Sequence, residues 1–408
     1  MARRVRESCL TVDVKPESLG ARLQEHRRLR SLTQNEVAKR LGVSRPTIAA
    51  IEAGHRRLTA PLIVDLAAAY DIPVSELVRE PAPSPSLSAQ FRVPLSAAPV
   101  DRDQLEQAVT SLELLVRDYL HLEAIVDSPL RPTPPPAYSF SPNRTEDDAG
   151  FVADAERRRL GLGDGPVLGL RDVLERELGL RIFSLDLPND VAGLFGASEV
   201  AGGCVGINAK HALARQRWTL GHEAAHFLVA HDRPEVTRVE GYHRMPDVER
   251  FAEAFAAAFL MPRSGLERRL RDVVRSGKQP TVADLLVLAN EYGVSAQALV
   301  LRLEDLRFVT AGQWDRIAAS RLQLREAHRL LGLDDPSPDQ RRLPRRFVLL
   351  AIGAYESELI TEHDLAAYLR IDRLSARMIL EGLSNSPDGA NAAPGHLLDL
   401  GESVVLDV

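Results

Sequence analysis

The chain has 408 residues, 45% hydrophobic and 26% charged, ordinary values for a globular protein that at roughly 150 residues per domain suggest two or three domains. Its two cysteines, Cys9 and Cys204, are too few and too far apart for a disulfide framework or a cysteine-type zinc site, and no apolar run approaches the roughly 20 residues of a membrane span. The net charge of −6 conceals an asymmetry: residues 1–80 hold 14 Lys and Arg against 10 Asp and Glu, and a basic end on an acidic body points to nucleic acid there.

The opening stretch, MARRVRESCLTVDV, has no apolar segment behind its arginines. No secretory signal is expected, and a cytoplasmic location is. From Leu32 the pattern becomes helical. Thr33 and Glu36 form a capping box, so a helix starts near Gln34 with Val37, Ala38 and Leu41 on one apolar face. Gly42 ends it in a tight turn. Ser44 is expected to cap the next helix, Pro46 suits its first turn, Ile48 and Ile51 face inward, and Gly54 ends it. Two short helices joined by a glycine-containing turn make a helix-turn-helix unit.

This stretch, with Gln34, the LGVS turn, IAAIEAG and the closing LAAAYDIPVSEL, resembles the Xre family of helix-turn-helix regulators, the lambda-repressor and Cro type, over about residues 18–78. The resemblance implies an all-α domain on double-stranded operator DNA, with Ser44 to Ala50 opening the recognition helix in the major groove. Arg45 suits guanine, Thr47 offers a hydroxyl or a methyl, and Ser44 and Gln34 lie where phosphates or groove-edge bases would come. The bland alternative is a small protein-binding helical domain. Domains of this type bind mostly as dimers.

Residues 81–90 and 131–150 are rich in Pro and Ser and read as linkers. Between them, 101–128 carries a heptad stripe of Leu105, Ala108, Leu112, Leu115, Tyr119, Leu122 and Val126. Two fates are open for the stripe: pairing with a second chain, which predicts that residues 1–128 form a homodimer, or folding back onto its own chain.

From residue 151 the pattern is α+β. A helix over 168–180, a strand at LRIFSLDL, and two short strands around a glycine-rich turn precede long helices at about 211–230 and 246–260. GCVGIN, 203–208, is expected to be an edge strand able to pair with an extended peptide. On the first long helix His222 and His226 are four residues apart and share a face, with Glu223 beside them. That is the His-Glu-x-x-His arrangement of two zinc ligands and a general base, though two histidines on a solvated face would look the same. A catalytic zinc needs a third ligand. Glu249 and Glu253 are four apart on the second helix, beside a face of Phe251, Ala252, Phe255, Ala256, Phe259 and Leu260 apolar enough to be buried.

RQRWTLGHEAAHFLVAH, then Glu249-x-x-Ala252-x-x-Phe255-Ala256 and FLMP, resembles the ImmA/IrrE family of zinc metallopeptidases over roughly 165–262. The resemblance implies a Zn2+ ion on His222, His226 and Glu249, with Glu223 as catalytic base. Glu253 stands where the family has Asn or Asp; it is either a residue that orients a ligand histidine by hydrogen bonding or the rival third ligand. His231, Tyr242 and His243 are nearby in sequence as lesser candidates. Ala224-Ala225 replaces the Leu-Gly common in the family, a helix-favouring change that leaves the donors in place.

Residues 279–309 read as helix, glycine turn, helix, and 360–380 repeat the look more weakly; a second DNA contact is weighed there against packing or substrate selection, which the acidic residues favour. The expected architecture is multidomain and mainly α. A lambda-repressor-like domain occupies 1–80 and linkers around the stripe helix 81–150. An α+β zincin-like core fills 151–265, and a helical region runs over 266–408. The expected function is a transcriptional regulator whose zinc peptidase domain hydrolyses a bond in one repressor or antitoxin-like protein. The rivals are a zinc domain that senses a ligand without hydrolysis and, third, a toxin–antitoxin fusion.

Overall fold

The computed structural model describes residues 16–29, 32–56, 58–70, 77, 102–130, 135–136, 138–198, 200–229, 235–238, 246–275, 280–320, 324–333 and 341–384. They divide between two compact units, one drawn from positions 1–82 and 349–408, the other from 83–348. The architecture is mostly helical with one small sheet.

In the first unit, α1 (Pro16–Leu29), α2 (Gln34–Leu41), α3 (Arg45–Glu52) and α4 (Ala60–Tyr70) enclose a core that includes Leu23, Val37, Ile48, Ile51, Leu66 and Tyr70. The capping box forms as its residues require: Thr33 Oγ1 accepts from the Glu36 N–H, and the Thr33 N–H donates to the Glu36 carboxylate at 2.7 Å. Gly42 takes the left-handed conformation (φ 65°) that closes α2. One expectation fails. Ser44 stands at the N-cap of α3, but its hydroxyl makes no capping bond and lies 2.9 Å from the Thr47 hydroxyl instead. The Thr47 N–H donates to the Ser44 carbonyl, and the Ser44 hydroxyl is turned to the Thr47 hydroxyl rather than to that N–H.

The second unit runs through α5 (Arg102–Ile125), α6 (Thr145–Arg159), and α7 (Leu170–Val173), which ends in a π-turn at Leu174–Leu178. Strands β1 (Arg181–Leu185), β2 (Val191–Ser198) and β3 (Gly202–Asn208) lead into α8 (Leu213–Val229) and β4 (Glu235–Arg238). Helices α9 (Asp247–Leu260), α10 (Arg263–Arg275), α11 (Val282–Tyr292), α12 (Ala296–Asp305), α13 (Gln313–Ala319) and α14 (Leu324–Leu330) follow. The chain goes on through α15 (Arg345–Glu356), α16 (Glu362–Leu369) and α17 (Arg373–Ser384).

The strand order is β1-β3-β2-β4. β2 and β3 form the expected hairpin, but β3 is not an edge. It pairs in parallel with β1 and antiparallel with β2, so its backbone is used on both sides and cannot take a peptide. Alternation within a strand reveals which face is buried, not which earlier strand will pair with it. Ile182, Phe195, Val205 and Ile207 pack in one cluster with Leu220, Ala224, Ala225 and Leu228 of α8. On β1 the next residue, Phe183, meets Tyr119 of α5 edge-on at 6.4 Å, as a period of two requires.

That contact decides the fate of the heptad stripe. Leu105, Ala108, Leu112, Leu115, Tyr119 and Leu122 are all buried by their own chain, and Val126 is half-buried. Fold-back wins, and the stripe offers no surface for a second copy. A buried charge cluster fastens it: Glu123 accepts from Arg181 at 2.8 Å and from Arg346, and both guanidiniums lie over the Tyr119 ring.

Residues 279–309 fold as read. Thr281 and Asp284 form a capping box, Gly293 (φ 62°) closes α11, and Ser295 caps α12. The pair contributes Leu285, Leu288, Tyr292, Leu299 and Leu303 to the same core as the sheet and α8. Its apolar faces are used in packing.

Candidate metal centre

Helix α8 brings the site together with α9. The close approach of the two depends on Gly221: a Cβ there would stand 3.3 Å from Cβ of the buried Ala256. With only hydrogen at that position, the first turn of α9 reaches the histidines. Arg217, one turn before, donates to the carbonyls of Gly293 at 3.0 Å and Val167 at 2.8 Å, tying α8 to the end of α11.

Three donor side chains converge. His222 Nε2 lies 3.1 Å from His226 Nε2 and 3.2 Å from Glu249 Oε2, while His226 Nε2 lies 3.3 Å from Glu249 Oε1. A tetrahedral zinc with bonds of ~2.0–2.1 Å spaces its donors ~3.3 Å apart, so this triangle has the size of one face of the coordination shell. The residues present fit the ion. His222, His226 and Glu249 are also the group of metal-ligating side chains that lie close enough among the described residues.

Glu253 stands elsewhere. Its Oε1 lies 3.1 Å from His222 Nδ1, the far edge of the ring, and its Oε2 accepts from Trp218 Nε1 at 3.1 Å. A proton on Nδ1, which lies at ion-pair distance from this carboxylate, would leave Nε2 with its lone pair toward the triangle. Phe195 stacks against the His226 ring at 6.2 Å and fixes its plane.

The electrostatics report a cage built for a cation. Burial pulls the His222 imidazole down, but bonds to Glu249 and Glu253 reverse this and raise its pKa to about 10. Burial and the neighbouring His222 charge lower that of His226 to about 4. Burial pushes the Glu249 carboxyl up, yet the two histidines hold it below its usual value. One proton thus occupies, in effect, the place of a metal.

Glu223 is fully buried beside the ligands. Its Oε1 lies over Gly193 of β2, where a Cβ would come within 2.6 Å of that oxygen and 2.7 Å of Thr219 Cγ2. A cavity of about 690 Å³ opens alongside, with Ala192, Trp218, Thr219, His222 and Glu253 among its lining residues. Sequence reasoning missed Gly193 and Trp218. Trp218 was findable, since it precedes His222 by one helical turn; Gly193 is joined to the site only through the sheet. His231, Tyr242 and His243 lie outside the described residues.

In the helix-turn-helix unit Ser44 and Arg45 are exposed, and Thr47 and Gln34 are half-buried. Gln34 Nε2 donates to Glu52 at 3.0 Å, and Arg27 grips the same carboxylate with two bonds of 2.6 and 2.9 Å.

Comparison with known families agrees with both halves. Residues 23–77 match the helix-turn-helix family model, and residues 175–304 match a peptidase family model described as the IrrE N-terminal-like domain. The chain thus carries an Xre-like helix-turn-helix domain at 23–77 and, in fusion with it, an IrrE N-terminal-like domain at 175–304. The IrrE-like match holds both histidines, both glutamates of α9, and the α11–α12 pair. No curated protein matches the fusion. Among solved structures, the crystal structure of ComR from Streptococcus suis aligns over 90% of this chain and 91% of that one, at 11% identity. The TM-score of that alignment is 0.16. No described helix of the fusion is long and apolar enough to cross a membrane.

Proposed function

We propose that the fusion is a cytoplasmic DNA-binding regulator whose IrrE-like domain is a zinc-dependent peptidase acting on one regulatory protein, a repressor or antitoxin-like partner. The observation that carries this reading is the triangle of His222, His226 and Glu249 with a buried Glu223 beside it. A purely structural site needs no such base. Zinc held there supplies Lewis acidity, polarising a scissile carbonyl and making water more acidic. Glu223 takes the proton from water and returns it to the leaving amine. Glu253 keeps His222 in the tautomer that leaves Nε2 free. Ser44, Arg45, Thr47 and Gln34 face operator DNA, and tethering raises the local concentration of a substrate bound on the same DNA.

The test begins with zinc content per chain in the wild type, His222→Ala and Glu249→Ala. One zinc in the wild type, lost in both variants, is expected. Glu223→Gln should keep zinc and DNA binding but not cleavage, so normal regulation of target genes by this variant sinks the peptidase reading. A second reading draws on the cavity, whose volume of about 690 Å³ is that of a small-molecule site. In that case a peptide or small acid bound beside His222 shifts DNA affinity without hydrolysis, equally in the wild type and in Glu223→Gln.

A further inference from the structure

Trp218, Glu253 and His222 are joined end to end beside the metal triangle. Trp218 precedes His222 by four residues on α8, so the two side chains share a helix face, and the Glu253 carboxylate of α9 comes between them. Trp218 Nε1–H donates to Glu253 Oε2 at 3.1 Å, and Glu253 Oε1 lies 3.1 Å from His222 Nδ1. These two contacts differ in kind. The first is an aligned hydrogen bond. The second is at ion-pair distance only: His222 Nδ1 is buried, yet no aligned hydrogen bond reaches it among the described residues. The imidazole therefore does not by itself fix where the carboxylate sits.

Glu253 needs an anchor. Its side chain is 41% exposed and lines the cavity, where a glutamate turns freely about its side-chain bonds and water competes for both oxygens. Arg250 lines the same cavity but is used elsewhere: it donates to the Pro142 carbonyl and to Thr145 Oγ1, and it pairs with Asp247 at 3.1 Å. Among the described residues the Trp218 indole is the donor whose hydrogen bond reaches the Glu253 carboxylate. An indole N–H donates and cannot accept, so its partner has to be an acceptor such as this one. The ring that carries it packs against the same core as Leu220 and Ala224 of its own helix, which holds the donor still.

We propose that Trp218 is a positioning residue for the metal. Its indole N–H fixes the Glu253 carboxylate against the far edge of the His222 ring, and the carboxylate keeps that ring turned with Nε2 toward His226 and Glu249. The proposal rests on the reading of the triangle as a metal site and not on hydrolysis. It makes the affinity for zinc depend on a hydrogen bond two groups away from the ion. It also separates two roles of the same side chain. Any aromatic ring of similar size can fill the space against the core, but only the N–H can hold the carboxylate.

The test is the zinc dissociation constant of the full chain, measured by competition with a chromophoric chelator. Trp218→Phe keeps an aromatic ring and removes the donor. It is expected to weaken binding roughly ten-fold, the lower end of what an outer partner of a ligand histidine is worth, with unchanged circular dichroism. Benzothienylalanine placed at Trp218, which puts sulfur where the N–H was at nearly constant shape, should lose as much, and it decides the matter if phenylalanine disturbs the fold. In a Glu253→Ala background, removing the donor should change the constant by less than about two-fold, because the group it acts through is gone. Folded Trp218 variants that bind zinc as the wild type does overturn the proposal. So does a loss of equal size with and without Glu253, since Trp218 would then act by packing alone. A folded wild type that takes up no zinc is a different result: it removes the metal reading itself, and this proposal with it.

Discussion

At the scale of single residues, the site depends as much on an absent methyl as on its ligands. Glu223 lies against the hydrogen of Gly193, and the 2.6 Å that a Cβ would leave is too short for any contact. Gly193→Ala must therefore push the carboxylate aside while leaving the three donors, which sit on other elements, untouched. The expected result is a fall in cleavage of about 10²-fold, typical of a displacement near 1 Å, with zinc content unchanged. A variant that cleaves normally would mean that Glu223 is not the base. The histidines give a second prediction. Without metal, His222 keeps a proton up to about pH 10, because Glu249 and Glu253 outweigh burial, whereas His226 has lost its own above about pH 4. Zinc needs the lone pair on Nε2. Uptake near pH ~8 should then release at least about one proton per ion, the one from His222, and ionisation of a zinc-bound water adds to it. Calorimetry in buffers of different ionisation heat measures this, and zero release would contradict the cation cage.

Helices and strands show what local sequence can and cannot tell. The capping box at Thr33, the Gly42 stop, the helix–glycine turn–helix of 279–309 and the spacing of His222 and His226 were legible because each depends on neighbours within one turn or two. The roles of α5 and β3 were not. A heptad stripe is apolar whether it meets its own chain or another, and only Phe183, far along the chain, says which. Ser44 illustrates a smaller failure, in which a good capping residue turns its hydroxyl to a neighbouring side chain, that of Thr47, instead of the backbone. The placement of Glu253 at Nδ1 rather than Nε2 of His222 lay beyond the sequence as well, since helical spacing puts both glutamates of α9 on one side. The α5 contact also carries a stability prediction. Glu123 is buried between Arg181 and Arg346, with the Arg181 side chain only 5% exposed. Removing one partner of a buried ion pair costs roughly 3–5 kcal/mol, because the other charge stays behind. Glu123→Ala should lose about that much in denaturant unfolding, whereas loss below about 1 kcal/mol would mean that water reaches the arginines.

Over the whole molecule, the two proposed activities rest on separate cores. The buried cluster beneath the helix-turn-helix unit draws its side chains from residues 19–77, and the helices that carry the metal donors pack on another whose buried members begin at Ala149. His222→Ala should thus bind duplex DNA within about two-fold of the wild type while losing its zinc, as expected for sites with no shared partners. A large change in DNA affinity on metal loss alone would instead favour the sensor reading.

The core under the ion site extends well past its last donor. Leu285, Tyr292, Leu299, Leu303 and Ile317 pack with the strands and α8, and Arg217 is bonded to the backbone that closes α11. A premature stop codon between Glu253 and Leu285 spares every metal-ligating side chain and still takes away the wall on which α8 rests. In a genetic screen, loss of zinc would then map to nonsense changes far downstream of the histidines, in codons that never meet the ion.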